Sequence, residues 1–148
     1  PAGDALCAGL LHDLGSALLY RHLPKEAAEV WAKPVEDILA AEREAFAHDH
    51  AELGALALEA WKLPSSIVAA VRDHHVDPTQ VDNRLTRCVI AAEAIACAGA
   101  GDDGPRLAEP APDAGAALAA AGLPDTDVAS LLERIGEDAD GLAGLLAA

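Results

Sequence analysis

Apolar positions recur along the chain at three- and four-residue intervals, which is the spacing of one face of an α-helix, and never alternate as a half-buried strand requires. The pattern predicts a succession of helices punctuated by Gly and Pro. Asp4 reads as the cap of a first helix through residues 5–15, which Gly15 interrupts, and residues 16–23 continue as a short second piece. Pro24 suits the first turn of a helix over 24–33, because its missing N–H is not needed there, and Pro34 ends that pattern. Residues 35–46 form the next piece. Asp49 caps a helix over 50–63, whose Leu53, Leu56, Ala57, Ala60 and Trp61 share one face and are expected inside. Pro64 stops it. Ser65 or Ser66 then caps a helix over 67–75, with Ile67, Val68 and Val71 inward. After the turn at Val76–Gln80 comes a long apolar helix over 83–98, read as central. Residues 99–115 are rich in Gly, Pro and Asp and read as a loop. Helical patterns return over 113–123, 125–135 and 138–148.

Composition supports this. Hydrophobic residues make up 52% of the 148 residues and aromatics only 3%, so the core must be built from Ala, Leu, Val and Ile. Ala and Leu favour helix because they lose little side-chain freedom in it. The fold class is therefore all-α, a helical bundle. The length suits one domain over 1–148, with a core at 1–98, a loop at 99–113 and a helical tail at 114–148. The chain has no Met and begins Pro1-Ala2-Gly3, so it reads as a piece of a longer protein.

Ten basic residues against 25 acidic ones give a net charge of −15. Such a surface repels phosphate backbones and anionic membranes, so nucleic acid is not an expected partner. A free nucleotide at a local metal site stays compatible, because a cation reverses the local sign. No signal peptide or membrane-spanning run is visible, and Cys7, Cys88 and Cys97 lack CxxC spacing. They read as buried thiols of a reducing cytoplasm.

The candidate chemistry lies in His12-Asp13, His50 and His74-His75, each at a helix end. Adjacent residues on a helix point about 100° apart, so a His-Asp doublet serves one metal only where the helix end faces a cleft. Gly15 is expected to supply that end. Histidine ligates through a neutral ring nitrogen, aspartate through one or both oxygens, and helical bundles assemble such sites from several helices. Each pair alone is also compatible with a surface pair or a cap; the joint occurrence carries the metal reading. His22 and His48 are expected in solvent. Glu93, the one charge in the apolar run CVIAAEAIACA, reads as a metal ligand, a hydrogen-bonded core carboxylate or a residue on a narrow exposed face.

The segment AGLLHDLGSALL resembles the HD signature of the HD superfamily of metal-dependent phosphohydrolases. The longer run HDHAELGALALEAWKLPSSIVAAVRDHH has the order of landmarks of its HDOD branch: His, a Gly turn, a Leu-rich helix, Trp-x-Leu-Pro, and a short helix ending His-His. The likeness runs from about Ala8 to Ala98 and looks like the C-terminal half of that domain. The HD-GYP branch, cyclic-di-GMP phosphodiesterases, shares the histidine order but follows it with Gly-Tyr-Pro, where this chain has Val76-Asp77-Pro78. The resemblance implies an HD-like helical fold in which His12, Asp13, His50, His74 and His75 match metal-binding positions and Glu93 stands where the superfamily has Asp. It also implies departures: the helix that carries an earlier His is not in this sequence, and Ser16 replaces a frequent Lys. The implied function is a bacterial signal-transduction output or interaction module with a residual site for a divalent metal (Fe, Mn, Zn or Ni). Its implied partner is another protein or a signalling domain of the same chain. The alternative is a metal-dependent phosphohydrolase acting on a nucleotide or cyclic dinucleotide, and the departures lean against catalysis.

Overall fold

Proline punctuation and helix-forming composition translate directly into element boundaries. The computed structural model describes residues 2–34, 37–100 and 113–135. Helix α1 spans Ala2–Leu11, α2 Leu14–His22, α3 Pro24–Trp31, α4 Ile38–Phe46, α5 His50–Ala60 and α6 Ser65–Arg72. A 3-10 turn at Pro78–Gln80 leads to α7, Arg84–Ala100, and then α8, Ala114–Ala120; residues 128–135 are again helical. Among the described residues there is no strand, and no helix is long and apolar enough to cross a membrane. The fold is all-α.

Several ends are set by identifiable chemistry. Asp49 accepts the Glu52 backbone N–H while the Glu52 side chain accepts the Asp49 N–H, a reciprocal capping box. Helix α5 ends with Lys62 at φ 60°, with Lys62 N–H donating to the Glu59 carbonyl and Leu63 N–H to that of Leu58. Helix α8 ends in the same way around Gly122 at φ 85°.

Three local expectations are corrected. The first helix starts ahead of Asp4, which lies in its first turn, and the break falls at His12-Asp13 itself, leaving Gly15 inside α2. Helix α6 begins at Ser65, with Pro64 in the capping position and no side-chain cap. On α5 the buried residues are His50, Ala51, Gly54, Ala55 and Leu58, whereas Leu56 is 49% and Trp61 58% exposed. The expected face followed the large side chains. The observed one follows the small ones, because they let neighbouring backbones approach.

That approach is closest at Gly15. A Cβ built there would lie 1.8 Å from the His50 carbonyl oxygen, and Gly54 lies at the same crossing, its own would-be Cβ 3.2 Å from the Gly15 nitrogen. Helix α2 thus lies directly on the start of α5. Ala8, Ala55, Leu58, Ile67, Val68, Ala70, Val71 and Val89 form one core between α1, α5, α6 and α7. Ile90, Ala91, Ala94 and Ile95 on another side of α7 form a second core with Ala117, Leu118 and Ala121 of α8. Helix α7 serves both cores, in line with its expected central place. It runs to Ala100, two residues into the expected loop; residues 101–112 of that loop, and the helical pattern at 138–148, lie outside the described residues. The three cysteines are free and half-buried.

Candidate metal centre

Three helix ends deliver the imidazoles. His12 and Asp13 form the turn between α1 and α2. Asp13 occupies the capping position of α2, yet its side chain makes no capping bond, which leaves the carboxylate for other partners. His50 is the first residue of α5, anchored by the capping box at Asp49, whose carboxylate also pairs with Arg43. His74 and His75 follow the end of α6, beyond the exposed Arg72–Asp73 pair.

The structure brings five of the six sequence candidates together. The donor atoms of His50, His74 and His75 all lie within 4.8 Å of one another, and this cluster could hold a metal ion. Asp13 Oδ1 is 3.5 Å from His50 Nε2 and 3.9 Å from His74 Nε2, while its Oδ2 is 3.2 Å from His12 Nε2. His75 Nε2 and His50 Nε2 share a hydrogen bond at 2.8 Å. The rings of His12 and His74 meet edge to face, with centroids 5.3 Å apart. Glu93, half-buried on α7, stands apart from the three-histidine cluster but is near enough for its charge to act on His12. His22 and His48 are exposed, as expected, and His48 faces Glu52 at 3.2 Å.

Ring orientation follows from what each Nδ1 does. His12 Nδ1–H donates to the Gly9 carbonyl at 2.7 Å, His74 Nδ1–H to the Val71 carbonyl at 2.6 Å, and His50 Nδ1–H to Glu42 Oε2 at 2.7 Å. With Nδ1 tied back in all three, Nε2 is the atom turned to the centre, and such tethers are what fix a ligating tautomer. His74 Nε2 is buried with no hydrogen-bond partner among the described residues. A buried acceptor without a partner calls for one, and a cation among these imidazoles is a partner that would fit. A tetrahedral ion about 2.1 Å from each nitrogen would hold them about 3.4 Å apart, inside the range spanned here.

At His74 and His75 the local environment agrees. Burial pushes His74 down to about 4 and His75 to about 2, so both rings are neutral near pH 7, the form that ligates. The hydrogen bond to Asp13 lifts His12 to about 9. Burial works against ionising Asp13, but His12 and the neighbouring imidazoles outweigh it and bring it to about 2. At His50 burial favours the neutral ring, and the Glu42 carboxylate more than offsets it.

Sequence reasoning missed Glu42. This α4 residue is fully buried, accepts from His50 twice, and takes the Trp31 indole N–H at 2.8 Å. The available signal was its place one turn after Ile38, on the buried stripe of α4.

The profile of the HDOD domain matches residues 1–77, from α1 to just past His75. It takes in His12, Asp13, His50, His74 and His75 and leaves Glu93 outside. Neither a curated protein nor a solved structure gives a significant match. With more than half of its length matched, and with the histidines that carry the resemblance gathered at one point, the chain belongs to the HDOD domain family.

Proposed function

We propose that this HDOD domain is a bacterial signal-transduction output or interaction module that holds a divalent metal at His50, His74 and His75, with Asp13 as an oxygen ligand and His12 and Glu93 beside it. One observation carries the reading: the donor atoms of His50, His74 and His75 lie within 4.8 Å of one another, with Nδ1 of His50 and His74 tied back so that their Nε2 atoms turn to the cluster. An imidazole-rich set with one carboxylate suits Fe, Ni or Zn, with Mn better served if more oxygen ligands join. The exposed Leu6, Leu10, Leu56 and Trp61 supply apolar surface for another protein or for a signalling domain of the same chain. The three free thiols suit a cytoplasmic setting.

The test is metal content by mass spectrometry for the purified protein, His74→Ala and Asp13→Ala. Near-stoichiometric metal in the first and its loss in His74→Ala are expected. Absence of Fe, Mn, Zn and Ni even after reconstitution would sink the metal reading and leave the interaction module alone.

A second reading, a phosphohydrolase acting on a nucleotide or cyclic dinucleotide, is favoured by Asp13, whose two oxygens face different histidines as a bridging carboxylate would. A bound divalent ion would supply Lewis acidity and lower the pKa of a coordinated water. Asp13 would orient that centre, and the neutral His74 and His75 would hold it without adding charge. Against it, Ser16 stands where a phosphate-binding Lys is frequent, and Arg43 and Arg72 are each engaged by an aspartate. Turnover of cyclic dinucleotides with added metal, abolished by Asp13→Ala, would decide for this reading.

A further inference from the structure

Glu42 is an expensive residue to have inside α4. It is fully buried, and its neighbours on that face are Ile38, Leu39 and Ala41. Packing alone would be served as well by an apolar side chain of similar volume. Three N–H groups converge on it instead: the Trp31 indole on Oε1 at 2.8 Å, and the His50 backbone at 2.9 Å and ring Nδ1–H at 2.7 Å on Oε2. A carboxylate filled only by donors is held in its ionised form, and a buried ion is costly unless positive charge comes close. Among the described residues no lysine or arginine is one of its hydrogen-bond partners. The group between Glu42 and the cluster is the His50 imidazole, whose other nitrogen lies 2.8 Å from His75 Nε2 and 3.5 Å from Asp13 Oδ1.

We infer that Glu42 is the positioning residue of the metal centre, fixing the proton of His50 on Nδ1 and setting a buried negative charge behind the ring for a cation at Nε2 to neutralise, with Trp31 clamping its second oxygen. The inference rests on the reading of the histidine cluster as a metal site. Hydrogen-bond chemistry explains why a carboxylate is required. Both oxygens must accept, and glutamine can offer only one acceptor. Whichever way its amide turns, an NH₂ group meets either the indole N–H or the two N–H groups of His50. The outer end of this hydrogen-bonded series is the half-buried Trp31, which stacks on Tyr20 with centroids 6.4 Å apart, so its emission can be tested as a reporter of the centre.

The experiment measures Zn²⁺ affinity by competition with a chromogenic chelator for the unmodified protein, His74→Ala, Glu42→Gln and Trp31→Phe, beside their metal-free urea unfolding. Glu42→Gln is expected to weaken Zn²⁺ binding by about 10- to 100-fold, the usual effect of losing a partner that orients a ligating His. Trp31→Phe keeps the carboxylate and both bonds to His50 and is expected to lose less, about threefold to tenfold, which keeps the test decisive if Glu42→Gln does not fold. In a Trp61→Phe background, Zn²⁺ should change the emission of Trp31, and adding Glu42→Gln should abolish that change; a merely structural Glu42 would leave it. Unmodified protein that takes up no Zn²⁺ overturns the reading of the cluster. Binding that His74→Ala abolishes but Glu42→Gln leaves within about twofold overturns the inference alone.

Discussion

Replacing Gly15 by Ala tests the helix crossing on which the centre is built. The new Cβ would meet the His50 carbonyl oxygen at 1.8 Å, its carbon at 2.6 Å and its Cα at 2.9 Å. Ordinary contact starts near 3.4 Å, so α2 and α5 must separate by about 1.6 Å, and since every contacted atom is backbone, no rotamer change relieves it. Overpacking of this kind costs about 1–3 kcal/mol or more, against a gain of up to about 1 kcal/mol from replacing a helical Gly. Gly9 is the internal control. It too lies in a helix, but a Cβ there meets nothing within 4 Å. Gly9→Ala should therefore stabilise by about 0.5–1 kcal/mol and Gly15→Ala destabilise by about 2 kcal/mol, a fall in Tm of about 4–8 °C at this chain length. Urea unfolding followed by circular dichroism at 222 nm on both variants provides the comparison. Two variants that differ by less than about 0.5 kcal/mol would refute the crossing geometry, and with it the placement of Asp13 against His50.

Other expectations follow from single groups. Asp49→Ala removes the side-chain half of the capping box and the Arg43 pair while keeping the backbone N–H that Glu52 accepts, and should cost about 1–2 kcal/mol in urea unfolding. Lys62→Gly relieves a left-handed residue, and after the added flexibility of the unfolded chain it should stabilise by about 0.5 kcal/mol on the same assay. Stability of metal-free protein should depend on pH in two opposed ways. His74 falls from 6.5 to about 4 on folding, so its contribution, about 3 kcal/mol at most, is complete above pH 6.5 and lost as pH falls toward 4. His12 rises from 6.5 to about 9, so its contribution is complete below pH 6.5 and lost as pH rises through 9. His74→Ala should therefore make the acid limb of a stability–pH profile shallower, with His75 still contributing to it, and leave the alkaline limb.

The helical class was legible because Ala and Leu dominate and Pro24 and Pro64 fall at helix starts and stops. The convergence of His12, Asp13, His50, His74 and His75 was legible because each sits where a helix ends, and ends can meet in a cleft. What stayed hidden depends on tertiary contact. The buried face of α5 was misread because periodicity weighs Leu56 and Trp61 above Ala51 and Gly54, whereas close crossing selects the residue with the least side chain. Glu42 was passed over, despite its place one turn after Ile38, because AEREAF reads as a solvated stretch until Trp31 and His50 are brought to it. The break at Asp13 was placed at Gly15 because Gly commonly ends helices; here its missing side chain serves packing.

The donors at Asp13, His50 and His74 come from turns far apart in the chain, and this bears on the order of folding. Contacts of long sequence separation carry a loop-closure cost and tend to form after local helix pairs. The cluster should then be unmade in the folding transition state, with φ-values near zero at His74. On that footing an ion held there would leave the refolding rate almost untouched and slow unfolding, making the bound state persistent in time as well as lower in free energy.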